Sequence, residues 1–474
     1  MSETLKPDIC VIGAGSGGLS VAAAAAALGV PVVLVEKDRM GGDCLNTGCV
    51  PSKALIASAR RARDARNGGA LGVTADAVGV DFEAVHAHVQ RTIGAIAPTD
   101  SAERFGGLGV RVVKAQARFS DATTVVAGEY EIKARRFVVA TGSLPDIPAI
   151  EGLDTVPYLT NESIFALREC PQHLVVIGAG AVGLEMAQAF RRLGSAVTVI
   201  EAVTPLARED AECADVVLDQ LAREGVVLQS GAKVVRVSGA EGRIALVLDS
   251  GRGEDTIEAS HLLVATGRRA AVEGLDLEKA GIGYDRRGIG VDKRLRTTNK
   301  RVYAIGDVAG GLQFTHAANY HAGLVVRNAV FRLPVTVRDE LVPRVTYTEP
   351  ELAHIGLTET QARERHPSIR VMRASFHDND RATTEGERRG HVKIVTSTRG
   401  HILGATVVGP AAGDLIAPWS LALSQGMNIR AMAGVVLPYP TRSEAGKRAA
   451  IEFFAPAWRS PRLRRLIAIL RKFG

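Results

Sequence analysis

Short apolar runs that end on glycine recur along the first two-thirds of the chain. The first is Asp8-Ile-Cys-Val-Ile-Gly13-Ala-Gly15-Ser-Gly-Gly18, followed by an alanine-rich stretch and then Pro31-Val-Val-Leu-Val-Glu36. The second is Leu174-Val-Val-Ile-Gly178-Ala-Gly180-Ala-Val-Gly183, a helical pattern, then Ala196-Val-Thr-Val-Ile-Glu201. Each predicts strand, tight turn, helix, strand. In both copies the glutamate stands 18 positions beyond the third glycine, close to the separation of about 20 that dinucleotide binding requires. The first glycine permits the turn, the second lets backbone approach a pyrophosphate, and the third allows close helix packing. The helix N-terminus then offers free N–H groups and partial positive charge to phosphate. Two copies with matched glutamates carry far more weight than one glycine triplet in a chain with 50 glycines.

A second echo follows. Phe137-Val-Val-Ala-Thr-Gly142 and Leu262-Leu-Val-Ala-Thr-Gly267 read as buried strands, and Val302-Tyr-Ala-Ile-Gly306-Asp307 as another with a carboxylate at its edge. Ligands of open α/β sheets collect at such edges. After Leu341 the pattern alternates, as in His391-Val-Lys-Ile-Val and Ile402-Leu-Gly-Ala-Thr-Val-Val, which predicts an antiparallel sheet. The fold class is α/β, with two Rossmann-like dinucleotide-binding domains and a C-terminal α+β domain. Boundaries fall near 145, 270 and 341.

Composition narrows the class without naming a substrate. The 474 residues, 46% apolar, exceed what one core holds, since single cores stop growing near about 250–300 residues. A net charge of +7 draws anionic nucleotides or an anionic surface, but does not by itself imply nucleic acid, and no nucleic-acid partner is expected. The run Val21 to Leu28 is too short to span a bilayer, which takes about 20 residues. The opening run, Ile9 to Ile12, reads as a strand rather than a leader. Five cysteines are no secreted disulfide framework, so the cytoplasm is the expected compartment.

The chemistry is concentrated in Gly41-Gly-Asp-Cys44-Leu-Asn-Thr-Gly-Cys49-Val-Pro-Ser-Lys53. The intervening residues outnumber the usual zinc spacing, and no second pair or histidine cluster completes a tetrahedral site, so no resident metal is expected. Within one helical stretch the spacing allows a strained, exchangeable disulfide; by itself it equally allows two ordinary buried thiols.

This segment closely resembles the redox motif of the flavoprotein disulfide reductases, the family of dihydrolipoamide dehydrogenase, glutathione reductase and mercuric reductase. The resemblance runs almost end to end. It takes in both glycine fingerprints, both Ala-Thr-Gly strands, Ile305-Gly-Asp307 and Val345-Thr-Tyr-Thr-Glu-Pro-Glu-Leu-Ala-His-Ile-Gly-Leu-Thr-Glu359. It implies an FAD-binding domain over 1–145 and 270–340, an NAD(P)-binding domain over 146–269, a dimerisation domain over 341–455 and a basic tail over 456–474. Gly13, Gly15, Gly18 and Glu36 would hold the ADP half of FAD. Ala115, Thr141, Gly142 and Asp307 match flavin-contacting positions, and Gln313, Phe314, Thr315 and His316 should run along the isoalloxazine edge. Gly178, Gly180, Gly183, Glu201 and Gly267 would bind the nicotinamide dinucleotide. Glu201 favours NAD over NADP, because a carboxylate repels a 2′-phosphate. Lys53 and Glu185 match an ion pair near the flavin. Cys49 is expected against the ring and Cys44 toward the substrate. The acceptor is a small molecule, a metal ion, or a lipoyl or other disulfide group, and a homodimer completes the site.

One departure bears on the acceptor. Dithiol-handling members carry a His-Pro pair followed by glutamate; here Leu437-Pro-Tyr439-Pro440-Thr441-Arg442-Ser443-Glu444 keeps Glu444 but has tyrosine for histidine. A phenol near pKa 10 is a poorer proton acceptor at neutral pH than imidazole near about 6.5. Mercuric reductases also have tyrosine there, so Tyr439 is either catalytic or a packing residue. The expected tail cysteine pair is missing, and no metal-binding domain is seen before Ile9. Cys170 and Cys213 read as packing residues. In the tail, Leu463, Leu466, Ile467, Leu470 and Phe473 share one helical face among basic residues, a pattern that suits either packing on the body or dimer mate, or peripheral contact with a membrane.

Overall fold

Buried on both faces, the strand Ile9–Ile12 alternates between two cores. Ile9 and Val11 face the alanine-rich helix Ser16–Ala27 and the helix Thr315–Ala329, while Cys10 and Ile12 pack with Phe119 and Phe137. That two-sided burial explains the unbroken apolar runs, the mark of parallel sheets covered on both faces. The computed structural model describes residues 3–251, 253–458 and 460–473.

In the first sheet the strands lie in the order Val302–Ala304, Arg136–Val139, Ile9–Ile12, Val32–Glu36, Arg111–Lys114, all parallel. The chain turns both ways from Ile9–Ile12, so a crevice opens at its C-terminal end. Repeating the plan, Val227–Ser230, Ala196–Glu201, His173–Ile177 and His261–Val264 form a second parallel sheet. Its faces bury Leu174 and Val176 on one side, Val175 and Ile177 on the other. A short antiparallel pair, Ser143–Pro145 with Arg268–Ala270, stitches the two units together.

The alternating C-terminal segment is an antiparallel sheet in the order Arg344–Thr346, Glu351–Gly356, Ile402–Gly409, His391–Ser397, Ile369–Ser375. Lys393, 4% exposed, reaches from it into the second unit. Its ammonium lies 2.8 Å from Asp210, 3.0 Å from Glu212 and 2.9 Å from Glu359. Helix Glu444–Glu452 packs Ala445, Ala449 and Ala450 onto this domain's core. Helix Pro461–Leu470 follows it and buries none of its residues.

Candidate active site

Both glycine fingerprints adopt the same geometry. Gly13 has φ +103° and Gly178 φ +107°, and a side chain on either would press within 2.5 Å of a carbonyl, that of Ala140 or Ala265. A Cβ on Gly18 or Gly183 would fall 1.9 Å or 2.0 Å from the carbonyl of Gly13 or Gly178. The middle glycines differ: beside Gly15 and Gly180 nothing lies within 4 Å. Each is the N-cap of a helix with no side-chain cap, so first-turn N–H groups face open space. A pyrophosphate fits that cradle, negative charge against the helix N-terminus.

The paired glutamates are held alike. Glu36 accepts from the Ala14 N–H at 2.6 Å and the Asp38 N–H at 2.8 Å; Glu201 accepts from Ala179 at 2.9 Å and Val203 at 3.0 Å. Each carboxylate is thereby fixed at its strand end, beside the glycine turn.

The cysteines do not share one helical stretch. Cys44 lies in the helix Gly42–Asn46, and Cys49 opens the helix Cys49–Asn67. The break at Thr47 and Gly48, where Gly48 has φ −126° and ψ −112°, puts Cys49 at a fresh helix N-terminus. Had the helix run on, Cys49 would have lost that positive end. Both sulfurs are free thiols, Cys44 half-buried and Cys49 exposed.

Charges around the pair sort the two thiols. A hydrogen bond from Cys44, a second from Thr315 and the positive charge of Lys53 pull Cys49 down to about 6 against the cost of burial. Donating that bond, together with burial and the charge on Cys49, pushes Cys44 well above the ordinary thiol range. One thiolate and one thiol at neutral pH is the outcome, and the thiolate is Cys49.

The flanking residues come from distant elements. Thr315 Oγ1 lies 3.3 Å from Cys49 Sγ. Lys53 Nζ donates to Glu185 Oε2 at 2.8 Å and sits 4.4 Å above the Tyr347 ring. Glu185, 5% exposed, also accepts from the Tyr347 N–H at 2.9 Å. Asp307 accepts from Ser143 Oγ at 2.5 Å, and burial raises its carboxyl above the usual range. Thr141 donates to the Ala271 carbonyl at 2.8 Å, the Ala115 N–H donates to Glu36 O at 3.0 Å, and Gly142 (φ +73°) and Gly267 (φ +144°) leave open space beside them. Gln313 donates to the Arg268 carbonyl at 3.4 Å, His316 Nε2 lies 2.6 Å from the Pro343 carbonyl, and Phe314 stacks on His316.

Sequence reasoning missed a network around Asp43. Its carboxylate accepts from Thr47 Oγ1 at 2.7 Å and Asn161 Nδ2 at 3.0 Å, and pairs with Arg268 at 3.2 Å. Arg268 also donates to Ser143 Oγ at 2.7 Å, linking the cysteine loop to the Asp307 corner. The only local signals were the position of Asp43 before Cys44 and of Arg268 after Gly267.

Within one subunit, Tyr439 and Glu444 are occupied elsewhere. Tyr439, 70% exposed, donates to Asp380 at 3.0 Å, which raises its phenol above the ordinary value. Glu444 accepts from the Thr441 N–H at 3.2 Å. Cys213 is fully buried, and Cys170 lies 3.2 Å from Ser195 Oγ.

Residues 7–322 match the family model of pyridine nucleotide-disulphide oxidoreductases, and 342–450 match that family's dimerisation domain. The chain belongs to the pyridine nucleotide-disulphide oxidoreductase family. Members of this family use FAD and a pyridine nucleotide, in keeping with the two empty-sided glycine cradles. The chain is 35% identical to a mercuric reductase of Streptomyces lividans over 94% of its length and 96% of the relative's. It is 32% identical to a dihydrolipoyl dehydrogenase of Bacillus subtilis, covering 92% and 96%. Among solved structures it matches LpdA of Mycobacterium tuberculosis with TM-score 0.87, and the HOCl-induced flavoprotein disulfide reductase RclA of Escherichia coli with TM-score 0.83. Each is 27% identical, over 94% of this chain and 99% of that one. As an oxidoreductase of this family, it is an FAD-dependent enzyme with the fold of the flavoprotein disulfide reductases.

Proposed function

We propose that this oxidoreductase carries electrons from NADH through Cys44 and Cys49 to a thiophilic metal ion, as the name mercuric reductase describes for its relatives. The observation that carries the reading is the state of Cys44. It is the thiol expected to face the substrate, its proton is held tightly, and the aligned base is a phenol that donates to Asp380. Thiol–disulfide exchange needs that proton removed by a base, whereas a thiophilic cation displaces it on binding.

FAD, bound along Gly13, Gly15, Gly18, Glu36, Ala115, Thr141, Gly142 and Asp307, supplies the two-electron link between nicotinamide and sulfur. Two electrons and one proton break the Cys44–Cys49 bond, leaving a thiolate at Cys49 and a thiol at Cys44. Lys53, held by Glu185, and Thr315 favour the thiolate by charge and hydrogen bond. Asp43, anchored by Arg268 and Asn161, keeps the loop in register. Gly178, Gly180, Gly183 and Gly267 leave room for the nicotinamide dinucleotide, and Glu201 disfavours a 2′-phosphate. The FAD-binding domain would span 1–145 and 270–340, the NAD(P)-binding domain 146–269, and the dimerisation domain 341–455. In the homodimer that this last domain implies, Tyr439 and Glu444 would come from the partner. Cys10, Cys170 and Cys213, free thiols outside the redox pair, fit the reducing cytoplasm.

Dihydrolipoamide oxidation is the second reading, favoured by Glu444 and by the dihydrolipoyl dehydrogenase relatives. Steady-state oxidation of NADH and NADPH with Hg²⁺, lipoamide and a soluble quinone separates the two. The metal reading predicts NADH with Hg²⁺ as the fastest pair, by about a hundredfold over lipoamide, roughly the lower end of what one proton-transfer catalyst contributes. Faster turnover with lipoamide would contradict it.

A further inference from the structure

The helix Pro461–Leu470 has a clear start, with Ser460 at its N-cap and Pro461 in its first turn, and it lies beyond the dimerisation domain that ends at residue 450. At about 100° per residue, Leu463, Leu466, Ile467, Ile469, Leu470 and Phe473 fall within one arc of about 160°. Arg464, Arg465, Arg471 and Lys472 occupy the opposite arc, and Arg462 falls within the apolar one beside Ile469. Leu463 is half-buried, but the rest of the apolar face is open: Leu466 is 50% exposed, Ile469 54%, Leu470 58% and Phe473 82%.

An occupant for this face has to suit its charge. Residues 460–474 hold five cations, Arg462, Arg464, Arg465, Arg471 and Lys472, and no acidic residue. A second copy of the chain carries the same net charge of +7, so the five cations of this helix gain less from the dimer mate than from an anionic surface. An anionic lipid surface answers both arcs at once, taking apolar side chains into the acyl boundary and cations against phosphates. Crossing is not an option: no helix among the described residues is long and apolar enough to span a membrane.

We propose that helix Pro461–Leu470 lies flat on the surface of an anionic bilayer and anchors the enzyme there. The proposal is independent of the electron acceptor.

Vesicle co-sedimentation of the holoenzyme tests it, with phosphatidylcholine alone and with about one-third phosphatidylglycerol. Binding to the anionic vesicles should exceed binding to the neutral ones by about tenfold and fall as salt rises. Leu466→Glu with Leu470→Glu should cut binding by about tenfold while NADH oxidation is unchanged. Trp458, 54% exposed just before the helix, should shift its emission to the blue on binding; Trp419, 3% exposed, should not. No sedimentation with anionic vesicles, or equal binding by the double variant, would overturn the proposal. So would loss of the dimer in that variant, which would make the partner subunit the occupant, or binding of duplex DNA in place of vesicles.

Discussion

Cys49 Sγ stands 3.3 Å from Thr315 Oγ1, a residue 266 positions away in the chain. Two helix N-termini converge on that contact, since Cys49 opens one helix and Thr315 another. Their partial positive charges favour a thiolate between them.

Thr315→Val should therefore raise the pKa of Cys49. In the wild-type enzyme reduced with NADH, alkylation of Cys49 should be fast above about 6 and slow as pH falls through that value, because only the thiolate reacts. A hydrogen bond to a charged group contributes about 1.5–3 kcal/mol, so its loss should move the midpoint up by about one to two units. Peptide mapping of iodoacetamide uptake against pH checks this.

The fingerprint glycines should divide by mutation. Gly15 has φ −78° and ψ −177° and open space beside it, so Gly15→Ala should fold with stability within about 0.5 kcal/mol of wild type. It should nonetheless lose FAD affinity by about tenfold or more, because the methyl stands where a pyrophosphate must approach. Gly18→Ala, with its methyl 1.9 Å from the Gly13 carbonyl, should lose both. Flavin content after gel filtration and the melting temperature read the two effects separately.

Much of this was legible in the sequence because parallel strands buried on both faces write continuous apolar runs. The glycine–glutamate spacing then located the turns that those strands lead into. The cysteine loop was legible as a motif but not as a shape: a reading by spacing carries the helix through Gly48, and the backbone breaks there. Thr315 entered only as part of a segment expected beside the flavin, and its contact with Cys49 depends on tertiary closure. Arg268, Asn161 and Asp43 meet from three separate segments, so no local pattern announces them. Tyr439 was read as a departure, but Asp380 as its acceptor was invisible, lying 59 positions away.

Lys393→Met should destabilise the interface between the C-terminal sheet and the second unit by about 3–5 kcal/mol, the usual effect of breaking a buried ion pair. Asp210, Glu212 and Glu359 would lose their shared cation. In the wild type the hydrogen bond from Arg373, and after it that from Lys393, hold Glu212 at about 2, below its ordinary 4.5, and a carboxyl depressed in the fold stabilises it only while ionised. That contribution is full above the ordinary value and drains as pH falls toward about 2. Thermal melts from neutral to acid pH should show the wild type losing stability over that window and the variant losing less.

Tyr439→His tests the missing base. An imidazole near pKa about 6.5 accepts a proton at neutral pH where this phenol does not, so dihydrolipoamide-dependent reduction of NAD should rise by about tenfold to a hundredfold. An unchanged rate would show that the pocket differs in more than this side chain.

The relay itself is tested most directly at the two sulfurs. The oxidised enzyme and the NADH-reduced enzyme are each alkylated under native conditions, and the cysteine peptides are mapped by mass. The relay predicts that Cys44 and Cys49 take up reagent only after NADH is added, while buried Cys10 and Cys213 stay unlabelled in both. Equal labelling of Cys44 and Cys49 with and without NADH would contradict it.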